Sequence, residues 1–178
     1  MTDQLNLPPL SRRSVLKAAG TLIVALVTPT LVAGRNNAWA ATPEALDANT
    51  FATLVQMSRD IYPHEKVEEK YYAAAVQNLD AAAKKDPDVK KLLTDGVAAL
   101  DKAAMGLKGG GYSALETEAE RLALLDAIKT DAFFQKVRGN LVTGLYNNQE
   151  LWPLFGYEGE SASKGGYIHR GFNDISWL

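Results

Sequence analysis

The chain has 178 residues, 19 basic and 21 acidic side chains, a formal net charge of −2 and no cysteine. That length fits one compact domain with one core, and the absence of cysteine excludes a disulfide framework, a Cys-x-x-Cys-His haem attachment and a lipidated N-terminal cysteine. With no net positive charge there is no electrostatic support for a nucleic-acid partner.

The N-terminal segment is the first element. Ser11-Arg12-Arg13-Ser14-Val15-Leu16-Lys17 precedes a moderately apolar run from Ala18 to Gly34, and Ala38-Trp39-Ala40 follows. Paired arginines before such a run read as a twin-arginine export signal, the address for carrying folded proteins across the inner membrane. Gly20, Thr21, Thr28, Pro29 and Thr30 interrupt the apolar run, which is shorter and more polar than the roughly 20 apolar residues of a spanning helix. Small residues at Ala38 and Ala40 place a cut between Ala40 and Ala41. Residues 1–40 are therefore expected to be a removable leader and residues 41–178 a single periplasmic domain; an uncleaved anchor and an ordinary secretory signal are the other readings. Without the leader, 15 basic residues face 20 acidic ones.

Helical spacing then recurs along the chain. A first helix is expected from Asn49 to about Tyr62, with Phe51, Leu54, Val55, Ser58, Ile61 and Tyr62 on one stripe, Asp47 or Asn49 as cap and Pro63 as stop. A second is expected from about Glu65 to Lys84, with Val67, Tyr71, Tyr72, Ala75, Val76 and Leu79 inward. Asp86-Pro87 has the form of an N-cap followed by a first-turn proline, opening a third helix with the stripe Val89, Leu92, Leu93, Val97, Leu100 and Ala104.

Gly106 to Gly111 is expected to be the main internal loop, since glycines lose extra backbone entropy on ordering. Ser113-Ala114-Leu115-Glu116 matches a capping box and is expected to start a fourth helix through Leu122, Leu125 and Ile128. A fifth is expected from about Asp131 to Asn147, with Phe133, Phe134, Val137, Leu141, Val142 and Leu145 inward. Gly139 and Gly144 inside it cost about 1 kcal/mol each relative to alanine, which implies close packing against their face. The expected fold is an all-α bundle of about five helices.

After Trp152-Pro153 the periodicity stops, and residues 154–178 are expected to form an irregular tail of glycines and aromatics. Six of the 15 aromatics lie in the last 27 residues: Trp152, Phe155, Tyr157, Tyr167, Phe172 and Trp177. Rings of this kind serve as anchors at protein interfaces; the alternative is that they fold back over their own bundle.

Catalytic chemistry is thinly supplied. Gly106 to Gly111 lacks the preceding strand and following Lys-Ser/Thr of a phosphate cradle, and Gly156-Tyr157-Glu158-Gly159-Glu160-Ser161 has its serine misplaced for a nucleophile elbow. His169 with Arg170 and Asp174 is better read as surface groups than as an acid-base pair, and His64 as a structural group favoured by a helix end. Glu65, Glu68 and Glu69 suit a solvated helical turn. No catalytic, cofactor-binding or metal-ligating residue is assigned. Folded export chiefly serves proteins that carry a cofactor, so the cofactor is expected on a partner.

The order of features resembles one family. The arginine-pair leader, the helical body, Leu145-Tyr146-Asn147-Asn148 with Trp152, the Gly156 to Ser161 segment, Gly165-Gly166-Tyr167 and Arg170-Gly171-Phe172-Asn173-Asp174 are together similar to the gluconate 2-dehydrogenase subunit 3 family, most specifically over residues 145–177. The resemblance implies a non-catalytic small subunit of a periplasmic sugar, alcohol or sugar-acid dehydrogenase complex. It implies a large FAD-containing partner of the glucose-methanol-choline type, a multi-haem cytochrome c as a further subunit, and export through the twin-arginine translocase. A reading of a different class is a free-standing periplasmic module that stacks a small sugar on its tail aromatics.

Overall fold

The computed structural model describes residues 42–170 and residue 172, and there the protein is an all-α bundle. Its five helices are α1 Ala48–Ile61, α2 Glu69–Lys85, α3 Pro87–Lys108, α4 Glu118–Ala127 and α5 Ala132–Gly144. α2 packs on α1, α3 and α5, and α1 also touches α3, α4 and α5. These two helices therefore sit at the centre. Among the described residues there is no strand.

α1 begins where Asp47 accepts from the Thr50 backbone N–H at 2.9 Å and ends where the N–H of Tyr62 closes on Ser58 ahead of Pro63. Its expected stripe is buried at Phe51, Leu54, Val55 and Ser58, but Thr50, Thr53, Met57 and Asp60 are buried as well. A helix covered on several sides buries more than one stripe.

α2 starts four residues later than expected. Val67 is drawn into the core and its N–H closes a turn on the His64 carbonyl, so residues 62–68 stay irregular. The Tyr72 hydroxyl fastens that turn, donating to the Tyr62 carbonyl at 2.6 Å and accepting from the His64 N–H at 3.2 Å. Of the expected acidic first turn, Glu68 is the N-cap and Glu69 alone is helical. Asp86 and Pro87 behave as the sequence suggests: Asp86 Oδ1 accepts from Asp88 N–H at 2.9 Å and opens α3.

α3 runs through Gly106 to Lys108, so the expected glycine loop shrinks to Gly109–Gly111. The stop is Gly109, left-handed at φ 77°, whose N–H reaches the Met105 carbonyl, the usual glycine cap of a helix C-terminus. Gly106 has open space around it and no need of an unusual dihedral.

The capping box also moves. Ser113 lies in a short 3-10 turn, Tyr112–Ala114, and the observed box pairs Thr117 with Glu120 at the head of α4. Tyr112 and Leu115 are buried, and the Tyr112 N–H is held by Asp101 Oδ1 at 2.8 Å. Core burial at both ends of the Ser113 segment thus overrides its local cap. Leu125 is buried on α4, whereas Leu122 is exposed.

α5 ends at Gly144, three residues short of the expected end, and Leu145 is buried just beyond it. Phe133, Val137 and Leu141 face inward, while Val142 is exposed, contrary to the stripe assigned to it. Close packing holds at Gly144, where a Cβ would stand 3.1 Å from the Ala75 Cβ, but nothing lies within 4 Å of such an atom at Gly139. The tightest approach is elsewhere: a Cβ on Gly96 of α3 would overlap the Phe133 ring.

Beyond α5 the described residues are irregular apart from two short 3-10 turns, Trp152–Phe155 and Ala162–Lys164.

Candidate partner interface

The tail has two parts with different surroundings. Its base belongs to the bundle. Leu151 is fully buried, and the Trp152 indole N–H donates to the Tyr146 carbonyl at 3.0 Å. The Tyr146 hydroxyl lies 2.7 Å from His64 Nε2, and the His64 ring stands 5.6 Å from the Tyr146 ring and 5.1 Å from that of Phe155, both edge-on. Tyr62 meets Tyr146 edge-on at 5.5 Å. Burial pushes the Tyr146 hydroxyl pKa up. Trp152 and Phe155, both named from sequence as interface anchors, are thus half-buried against the chain itself.

His64 has a structural setting that its position after a helix suggested only in part. Its imidazole is held by a hydroxyl and two rings. Beside it opens a shallow pocket of about 260 Å³, lined by Pro63, His64, Glu65, Lys66, Val67, Leu154 and Phe155.

The outer tail is a shaped loop. Gly156, Gly159, Gly165 and Gly166 all have positive φ, between 73° and 94°, a region in which a Cβ is strained. Trp152 stacks edge-on with Tyr157 at 5.1 Å, and a Cβ on Gly159 would stand 3.4 Å from the indole. The buried Ser161 turns the chain, its carbonyl accepting from Lys164 at 3.0 Å and Gly166 at 2.7 Å. Lys164 donates to the Glu158 carbonyl and Arg170 pairs with the Glu158 carboxylate, which brings the turn at Tyr167 to Arg170 back beside Tyr157.

This loop presents apolar side chains to solvent. Tyr157 is 42% exposed, Tyr167 68%, Ile168 79% and Phe172 80%. With aromatics carrying roughly 150–250 Å² each, the four offer apolar area on the order of several hundred Å². The largest apolar patch on a single chain is commonly of this size and is often functional. Ile168 stands outside the pattern of rings that marks the tail in the sequence, and the Glu158 to Arg170 pairing has no local sequence signal. Trp177 lies outside the described residues, as do Arg12, Arg13, Ala40 and Ala41.

Among the described residues the remaining candidates stand apart from one another. His169 is exposed, Arg170 is engaged by Glu158, and Asp174 lies outside the described residues. Glu68 pairs with Lys70 at 3.0 Å, and Glu65 is exposed. Among the described residues no three His, Asp or Glu side chains are grouped to hold a metal ion, and no helix is long and apolar enough to cross a membrane. One polar centre escaped the sequence reading altogether. Asp60, buried on α1, accepts from the Tyr112 hydroxyl at 2.7 Å, Arg121 Nε at 2.8 Å and Gln56 Nε2 at 3.1 Å. Burial and the Asp60 carboxylate both drive the Tyr112 pKa far up. The hydroxyl is locked as a donor, which makes it a structural tie.

No family model matches the chain, and neither does any curated protein or solved structure.

Proposed function

We propose that the protein is the non-catalytic small subunit of a periplasmic flavin-dependent dehydrogenase acting on sugars, alcohols or sugar acids. In this reading it binds a large FAD-containing subunit of the glucose-methanol-choline type, assists its maturation, and supplies the twin-arginine address for its export. A multi-haem cytochrome c completes the complex and takes the electrons. The observation that carries the reading is the outer tail, a glycine-shaped loop with Tyr157, Tyr167, Ile168 and Phe172 turned to solvent. It falls within the residues that resemble gluconate 2-dehydrogenase subunit 3. Large apolar side chains of this kind dominate the affinity of an interface once they are buried by a partner.

The second reading, a free-standing module for a small sugar, would use the shallow pocket beside His64 and Phe155. The test is expression beside the flavoprotein, with Arg12→Lys and Arg13→Lys introduced together. The expected result is that the flavin absorbance and dehydrogenase activity, periplasmic with the native chain, remain in the cytoplasm with the double variant. Periplasmic activity at the native level would overturn the carrier role. Sugar binding by a chain that purifies without any flavoprotein would favour the alternative.

A further inference from the structure

Three consecutive backbone N–H groups converge on one buried carboxylate. Asp80, 5% exposed on α2, accepts from Glu44 at 2.7 Å through Oδ2, and from Ala45 at 3.1 Å and Leu46 at 2.8 Å through Oδ1. Backbone amides arranged in this way form a nest for an anion. Here the anion is part of the protein and what it grips is the protein's own N-terminal segment. Lys84, one turn further along α2, pairs with the Glu44 side chain. Leu46 is buried in the core and Asp47 caps α1 immediately after it. Charge, backbone bonds and apolar contact therefore all act on the same three residues.

We propose that Asp80 is a latch that sets where proteolytic processing of the N-terminus stops. The bonds held at Glu44 to Leu46 are closed to a peptidase until Asp80 lets go. A peptidase takes several residues in extended form across the bond it cuts. Residues whose amides are bound and whose side chain is buried must open locally first, so cutting follows the open population. The latch exists only when α2 is folded, since Asp80 and Lys84 sit on its last turns. The boundary is then a property of the folded chain rather than of the leader. Between the expected cut at Ala40–Ala41 and Glu44 lie three residues, a reach of about 10 Å when extended. This last link rests on the export reading of residues 1–40; the latch itself does not.

The experiment is limited digestion of the purified full chain with elastase, which cuts after small residues, with fragment N-termini identified by mass. The native chain is expected to yield persistent fragments that begin at residue 41 or 42, because the Thr42–Pro43 bond itself resists elastase, and to stay uncut after Ala45. Asp80→Ala is expected to be cut after Ala45 at least about tenfold faster, the scale of losing one charge-assisted hydrogen bond. Lys84→Ala, which removes only the exposed ion pair, is expected to keep the native pattern. If Asp80→Ala does not fold, hydrogen exchange on the native chain decides: the Glu44 to Leu46 amides are expected to exchange at least about tenfold more slowly than the Thr42 amide. Equal cutting after Ala45 in folded native and variant chains, or unprotected amides at 44–46, overturns the latch. A leader left uncut in cells alongside the expected elastase pattern would count against the export reading and leave the latch standing.

Discussion

Arg121 on α4 places its Nε 2.8 Å from Asp60 Oδ2 on α1, with the Asp60 side chain 4% exposed and that of Arg121 14% exposed. The same oxygen accepts from Tyr112, and Arg121 Nη1 also donates to the Leu115 carbonyl at 2.9 Å. One carboxylate thus joins α1, the 3-10 turn and α4. Removing one partner of a buried pair leaves an uncompensated charge, which typically costs about 3–5 kcal/mol. Asp60→Ala is expected to lower stability by about 3 kcal/mol in a urea titration, and Tyr112→Phe by about 1 kcal/mol, the usual scale of one hydrogen bond. A loss below about 1 kcal/mol for Asp60→Ala would show that the pair contributes little.

Acid should weaken the N-terminal half of the bundle. Burial raises the Asp80 pKa, but the amides of Glu44, Leu46 and Ala45, with Lys84 nearby, outweigh it and hold the group below the ordinary 3.8. Asp47 is likewise held low: partial burial raises it, and the Thr50 hydroxyl and backbone N–H more than offset that. A carboxylate with a depressed folded pKa contributes stability that is present above its unfolded pKa and lost as pH falls through the folded value. Thermal midpoints should therefore hold near neutrality and drop below about pH 4. In Asp80→Asn the curve should start lower at pH 7 and fall less steeply in acid. An unchanged acid slope would remove Asp80 from the account.

Two helical glycines should respond in opposite directions. Gly96 faces Phe133 so closely that a Cβ would overlap the ring; Gly96→Ala forces the phenyl or the helices apart, at a cost of about 1–3 kcal/mol. Gly139 has nothing within 4 Å, so Gly139→Ala removes a helix penalty without a clash and should stabilise the isolated chain by up to about 1 kcal/mol. Parallel melts of the two variants check this. Stabilisation at both positions would mean that the α3 to α5 contact yields easily.

The parts legible in the sequence are those set by local pattern. Asp47, Asp86 and Pro87 act where they stand, because a cap needs only its own next turn, and the buried runs of α1, α2 and α3 follow their spacing. What failed was decided by tertiary contact. Val67 and Tyr72 delay α2 by fastening a turn between helices, and Tyr112 keeps Ser113 from capping because its ring and hydroxyl are needed in the core. Of the two glycines in α5, one meets Ala75 and the other meets nothing, and composition alone does not separate them. The candidate interface was legible as a cluster of rings. Its division into an inner and an outer part was not, because it depends on Tyr146 and His64 for Trp152 and Phe155, and on Glu158 for Arg170.

That division makes the tail separable by mutation. Trp152 and Phe155 are tied to Tyr146 and His64, and Phe155 packs against the core, so Phe155→Ala or Trp152→Ala removes packing that the bundle uses. Each should lower stability by about 2 kcal/mol, below the about 3–5 kcal/mol for fully buried rings because these are only half-covered. Tyr167, Ile168 and Phe172 contribute no such contact while exposed at 68–80%, and surface changes of this type usually shift stability by less than about 0.5 kcal/mol each. A chain carrying Tyr167→Ala, Ile168→Ala and Phe172→Ala should keep its helical circular dichroism and its melting point. If these side chains anchor the flavoprotein, the same variant should lose it, since a single anchor is worth about 2 kcal/mol or more, roughly thirtyfold in affinity. Truncation after Gly156 should reproduce the loss of binding with helicity intact, whereas a cut after Pro153 also removes Phe155 and should lower the melting point. Co-purification of the flavin chromophore, read beside the melt, separates the two effects. Retained flavoprotein in the triple variant would move the interface off the outer tail, and a collapsed melt would show that the tail is core to its end.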